Sequence, residues 1–172
     1  MVVVPAAGDT DERILPEPDT EIWSGDTATL TWTNVGASGL SATLVITIAS
    51  SASGTATLTQ TLTFTNPAPA AVALQVFGYA DIELDDTSGG DSGSLVSATE
   101  LLVTDSSTAR FIGTGAFAYQ VADYSGIEDL FSDTLVTTLD NSGLPFGPDD
   151  WSGAFQWTST VAGGARARRS RP

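Results

Sequence analysis

Across residues 27–80, hydroxyl-bearing and apolar side chains trade places at every second position. Thr29-Leu30-Thr31-Trp32-Thr33 is one such run, and Thr57-Leu58-Thr59-Gln60-Thr61-Leu62-Thr63-Phe64-Thr65 is a longer one. A period of two sends successive side chains to opposite faces of a strand. The pattern therefore predicts strands over 27–34, 40–49 and 55–65, each with an apolar face and a face of hydroxyls. Gly36 and Gly39 mark the first turn, and residues 50–54 supply a flexible second one. Asn66-Pro67-Ala68-Pro69 ends the third strand, because proline has no amide to give to a ladder.

Residues 71–84 predict a longer strand. Val72, Leu74, Val76, Gly78 and Ala80 share one face, and Gln75, Phe77 and Tyr79 share the other, followed by Asp81, Glu83 and Asp85. Loops at 85–94 and 140–148 are rich in Asp, Gly, Ser and Pro. Further strands are predicted over 95–104, 109–121 and 151–161, with Gly113 and Gly115 marking a bulge or a close backbone approach. The one helical signal is residues 127–131, with Ser125 as its cap and its acids in the first turn. Short strands with turn signals between them predict an all-β fold, an antiparallel β-sandwich of jelly-roll type with at most one or two short helices. The expected organisation is an N-terminal arm at 1–26, a single sandwich domain at 27–162 and a disordered basic tail at 163–172, where the arginines have no apolar residues to pack with.

Composition changes this picture in two ways. The 172 residues include no Cys, Lys or His, so the commonest general base and two covalent nucleophiles are missing. That points away from an enzyme. The formal net charge is −15, from 21 acids and six Arg, which disfavours nucleic acid and anionic lipid as partners. All of that charge lies outside residues 27–80. No stretch approaches the ~18 consecutive apolar residues of a membrane span. Met1-Val2-Val3-Val4-Pro5 lacks the basic start and apolar core of a signal peptide, yet the lysine-free Thr, Ser, Ala and Gly chemistry has the character of an exported protein.

The candidate chemistry is acidic. Asp81, Glu83 and Asp85 alternate along one strand, and Asp86 and Asp91 follow in the loop. Carboxylates in a row repel unless neutralised, and a hard cation such as calcium takes about six to eight oxygens. These five residues are the candidate calcium ligands, against the plainer reading of a solvated acidic edge. The Asp-x-Glu-x-Asp spacing also fits, more weakly, the ~5.5 Å carboxylate pair of a retaining glycosidase. Asp149-Asp150-Trp151 with Phe155-Gln156-Trp157 mixes acids and rings as a carbohydrate-binding face does. The simpler reading makes the rings core and the Asp pair a turn.

Several segments resemble, in order, a group of secreted bacterial proteins often found with a C-terminal Pro-Glu-Pro sorting signal. They are Thr61-Leu62-Thr63-Phe64-Thr65-Asn66-Pro67, Phe77-Gly78-Tyr79-Ala80-Asp81-Ile82-Glu83-Leu84, Leu139-Asp140-Asn141-Ser142, Pro145-Phe146-Gly147-Pro148-Asp149-Asp150 and Ala154-Phe155-Gln156-Trp157. The resemblance implies export, an all-β fold and a role at the cell surface or in extracellular matrix. The chain departs from the pattern where the signal is concerned: its Pro16-Glu17-Pro18 is near the N-terminus, and no apolar span precedes the arginines. The expectation is a secreted, non-enzymatic structural protein that self-associates into an oligomer or filament by strand addition, with the arm at 2–14 as the donor. The alternative is a surface module that binds calcium or extracellular polysaccharide.

Overall fold

Alternating Thr and apolar residues favour extended backbone, since β-branched side chains fit a pleated, half-buried surface. The computed structural model describes residues 2–4, 12–85, 88–164 and 166–171. Among these the chain forms β1 (Val2–Val4), β2 (Arg13–Ile14), β3 (Thr20–Ser24), β4 (Thr27–Trp32), β5 (Ser41–Ser50), β6 (Ala56–Thr65) and β7 (Val72–Asp81). It continues with β8 (Asp91–Ser97), β9 (Glu100–Thr104), β10 (Thr108–Ile112), β11 (Ala118–Asp123), α1 (Tyr124–Ser132), β12 (Phe146–Asp149), β13 (Trp151–Val161) and β14 (Arg166–Arg171). The fold is all-β, with antiparallel sheets and one short α-helix.

The chain divides into two compact units, with the boundaries falling inside β7 and inside β13. One unit is built from Gln75–Thr158 with β1 and β2. It holds two sheets, of order β11-β13-β7-β1-β2 and β10-β9-β8-β12. They pack face to face through aromatic rings: Phe111 of β10 lies 4.9 Å from Phe155 and 6.0 Å from Trp151, both of β13. The approach is close enough that a Cβ on Gly113 would come within 2.4 Å of the Phe155 ring, which is why glycine stands there. On the opposite face of β13 and β7, Phe77, Ala118, Ile127, Leu139 and Ala154 form a buried cluster under α1. β13 is thus covered on both sides, and residues 151–157 are all buried. Gln156 is tolerated among them because its side chain is satisfied: Nε2 donates to Gln75 Oε1 at 2.7 Å, and Oε1 accepts from the Leu139 amide at 2.8 Å.

The other unit contains Leu15–Leu74 and the chain from Ser159 onward. Its sheet has the order β14-β6-β5-β4-β3. Register makes the two faces explicit. Thr31 stands opposite Thr43, which stands opposite Thr63, and Thr27, Thr47 and Thr59 form a second row. Rows of the opposite face carry Ala28, Trp32, Ala42, Leu44, Leu62 and Phe64, all buried. The lead-in is tied to this sheet by Trp32 Nε1, which donates to the Pro16 carbonyl at 2.8 Å. Asp19 assists, its carboxylate accepting from both the amide and the hydroxyl of Thr33 at 2.7 Å.

Several local expectations change. The span 109–121 is two strands, β10 and β11, rather than one, and the loop expected at 140–148 ends in strand β12. The span 95–104 is a hairpin, β8 and β9, rather than one strand: its turn at Ala98 and Thr99 carries neither Gly nor Pro and so leaves no sequence signal. The helix begins earlier than its apolar residues suggest, because β11 runs directly into it. Its cap is Asp123, accepting from the Gly126 amide at 3.0 Å, while Ser125 lies inside the helix and the first turn holds no acid. Residues 166–171, expected to be disordered for want of apolar partners, run as β14 along β6 in the register Arg166↔Thr65 to Arg171↔Gln60. A ladder of backbone hydrogen bonds requires an open strand edge, not apolar side chains.

Candidate acidic site

β7 delivers Asp81 to its end and stops there. Glu83 follows outside the strand, and Ile82 between them is held by its amide to the Trp151 carbonyl at 3.4 Å. On the other side, Asp150 occupies the single position between β12 and β13. Its amide donates to the Asp149 carboxylate at 2.9 Å, which fixes the corner. The result is a convergence of Asp81, Glu83 and Asp150, each offering a carboxylate oxygen within 4.8 Å of the other two.

Asp91 stands behind this group. It is the first residue of β8 and the register partner of Asp149, and it is 1% exposed. Neither of its carboxylate oxygens meets a donor in good hydrogen-bond geometry, and Asp150 Oδ1 is buried in the same condition. Burial pushes the Asp91 carboxyl up, more than the backbone of Leu84 pulls it down, and the charges of Asp105, Asp150 and Glu83 add to the rise. Asp81 is likewise pushed up, first by burial and then by the charges of Asp150, Glu83, Asp91 and Glu128. Mutual repulsion of this kind is relieved by a shared proton or a shared cation.

The structure redistributes the five acids singled out from sequence. Asp81 and Glu83 belong to the converging group, and Asp91 adjoins it. Asp85 does not join them. Its backbone is left-handed, at φ 61°, and its carboxylate accepts from the Ser106 hydroxyl and from the Ser107 amide at 2.9 Å. These bonds hold its carboxyl below the usual range and commit it to bracing the turn between β9 and β10. The strand geometry that aligned Asp85 with Asp81 and Glu83 ends four residues too early. Asp86 lies outside the described residues.

Asp150 is the residue that sequence reasoning missed as a ligand. The adjacent Asp149 and Asp150 read as a turn before a strand, and nothing in the spacing of 69 positions from Asp81 shows that β13 pairs beside β7. The rings that followed it, Phe155 and Trp157, are core residues, 0% and 3% exposed. Trp32 is buried too, whereas Trp23 stands 70% exposed on β3.

No protein-family model matches the chain, and no curated protein matches it in sequence.

Proposed function

We propose that this protein is a non-enzymatic structural module of the cell exterior that binds calcium through Asp81, Glu83 and Asp150 and associates with further copies through the open edge of β3. The convergence of those three carboxylates beside the buried Asp91 is the observation that carries the reading. Donor chemistry supports calcium over softer metals, because the chain has neither His nor Cys and offers only oxygen. Two ligands from the end of β7 and one from a corner before β13 give spacing set by a paired sheet but leave side chains free to adjust, which suits calcium better than the strict octahedron of magnesium. With few protein carboxylates, the dissociation constant belongs in the range of extracellular modules, about 0.1–1 mM.

Calorimetric titration of chelator-treated protein with CaCl2 tests this. Saturable binding in that range is expected, with a raised melting temperature and a weaker response to magnesium. Asp150→Asn is expected to weaken calcium binding at least tenfold without loss of the folded state, since the residue sits at a corner rather than in the core. Absence of binding and of any thermal shift at ~10 mM calcium, ten times the weak end of that range, would sink the reading.

A further inference from the structure

The unit built around Gln75–Thr158 contains a cavity of about 320 Å³ whose lining is unlike that of the acidic site. One wall is β7, which presents Tyr79 and Asp81 on the same face by its period of two. The other is α1, which presents Tyr124, Glu128 and Phe131 at i, i+4 and i+7, one flank of the helix. Ile14 of β2 closes a third side. The rings are held in place from below: Phe131 packs 5.1 Å from Phe77, and Tyr79 meets Phe131 edge-on at 6.4 Å. Two carboxylates thus face an aromatic and aliphatic chamber from opposite walls.

We infer that this cavity binds a small organic cation, an ammonium group carried on an apolar body, with Asp81 and Glu128 pairing the charge and Tyr79, Tyr124 and Phe131 receiving the remainder. A bare divalent ion does not suit the chamber, because it requires about six to eight oxygens and most of this lining is carbon. A neutral sugar would cover two carboxylates without compensating them. An ammonium satisfies both features, since ring faces attract cations and carboxylates accept its N–H groups. Asp81 is the one side chain shared with the proposed calcium site. Filling either site is therefore expected to weaken the other, by the same factor in both directions.

The test uses n-butylammonium chloride as probe, with 1-pentanol as its uncharged counterpart and glucose as the sugar arm, on calcium-free protein. Butylammonium is expected to bind saturably and to shift the ring signals of Tyr79 and Tyr124 in NMR spectra, with pentanol at least tenfold weaker and glucose without effect. Glu128→Gln, a change at an exposed helix position, is expected to weaken butylammonium at least fivefold and to leave calcium titration unaltered. Glu83→Gln should do the reverse, so failure of this inference and failure of the calcium reading are separable. Equal binding of pentanol, saturation of the same tyrosines by glucose, or an unchanged butylammonium affinity in Glu128→Gln would each overturn it.

Discussion

Asp81 and Asp19 show how one residue type is moved in opposite directions by its surroundings. Asp81 is raised by burial and by its carboxylate neighbours Asp150, Glu83, Asp91 and Glu128. Asp19 is lowered, first by the hydroxyl and then by the amide of Thr33. Each shift is a statement about stability. A raised carboxyl contributes stability that is complete below its ordinary value of about 3.9 and is lost as pH rises through the raised one. A lowered carboxyl contributes stability that is present above the ordinary value and is lost as pH falls through the lowered one. A carboxyl-carbon NMR titration of calcium-free protein should therefore place the Asp81 midpoint above that of a model peptide and the Asp19 midpoint below it. The reverse order would remove the electrostatic description of both sites. Sequence offers no means of predicting the two directions, because each Asp stands at or next to the end of a strand with nothing to show what faces it. What separates them is whether the partner across the gap is a donor or another acid.

At the scale of elements, periodicity was a good guide for four strands with a buried face, though not for 109–121, which divides into β10 and β11. The strands at 27–34, 40–49, 55–65 and 151–161 appear within a residue or two of their expected limits, since an apolar stripe that must face a core fixes register. It failed where structure depends on backbone alone. The hairpin between β8 and β9 lacks turn residues, and β14 has no apolar stripe at all. β3 is the element on which the proposed self-association turns. It is the terminal strand of its sheet, all five of its residues are exposed, and Ile22 and Trp23 are 61% and 70% so. Lysine, the usual guard of such an edge, is absent from the chain. The arm first considered as a donor strand pairs within its own chain, Val2–Val4 on β7 and Arg13–Ile14 on β1, so the edge proposed for a neighbour is instead the exposed β3. Light scattering at high protein concentration should show self-association that Trp23→Lys reduces by at least an order of magnitude in association constant, about 1.4 kcal/mol. A wild-type chain that stays monomeric, or a variant that associates equally well, would exclude β3 as the contact.

For the whole molecule, the pattern that opened the sequence has an electrostatic counterpart. Of the 21 acids, seventeen lie in the unit built around Gln75–Thr158 and four in the other; of the six Arg, two lie in the first and four in the second. The first unit therefore carries the entire net charge of −15, and the second carries none. The uncharged run at 27–80 foreshadowed this division, but the sequence order hides it, because the arginines that balance the second unit come from the far C-terminus. Self-repulsion of the acidic unit is relieved in two distinguishable ways. Monovalent salt screens it generally, with a Debye length of about 10 Å at 0.1 M. In the proposed reading, calcium acts at one place, by neutralising the converging carboxylates of Asp81, Glu83 and Asp150. Native-state hydrogen exchange can separate the two. Amides of Val103 and Val121, in the acidic unit, should gain protection as NaCl rises, and should gain more from a few millimolar CaCl2 than from NaCl of the same ionic strength. Amides of Leu44 and Leu62, in the neutral unit, should respond little to either. If calcium does no more than matched NaCl, the carboxylate group is a repulsive rim and not a binding site; if both units respond alike, the charge division has no bearing on stability.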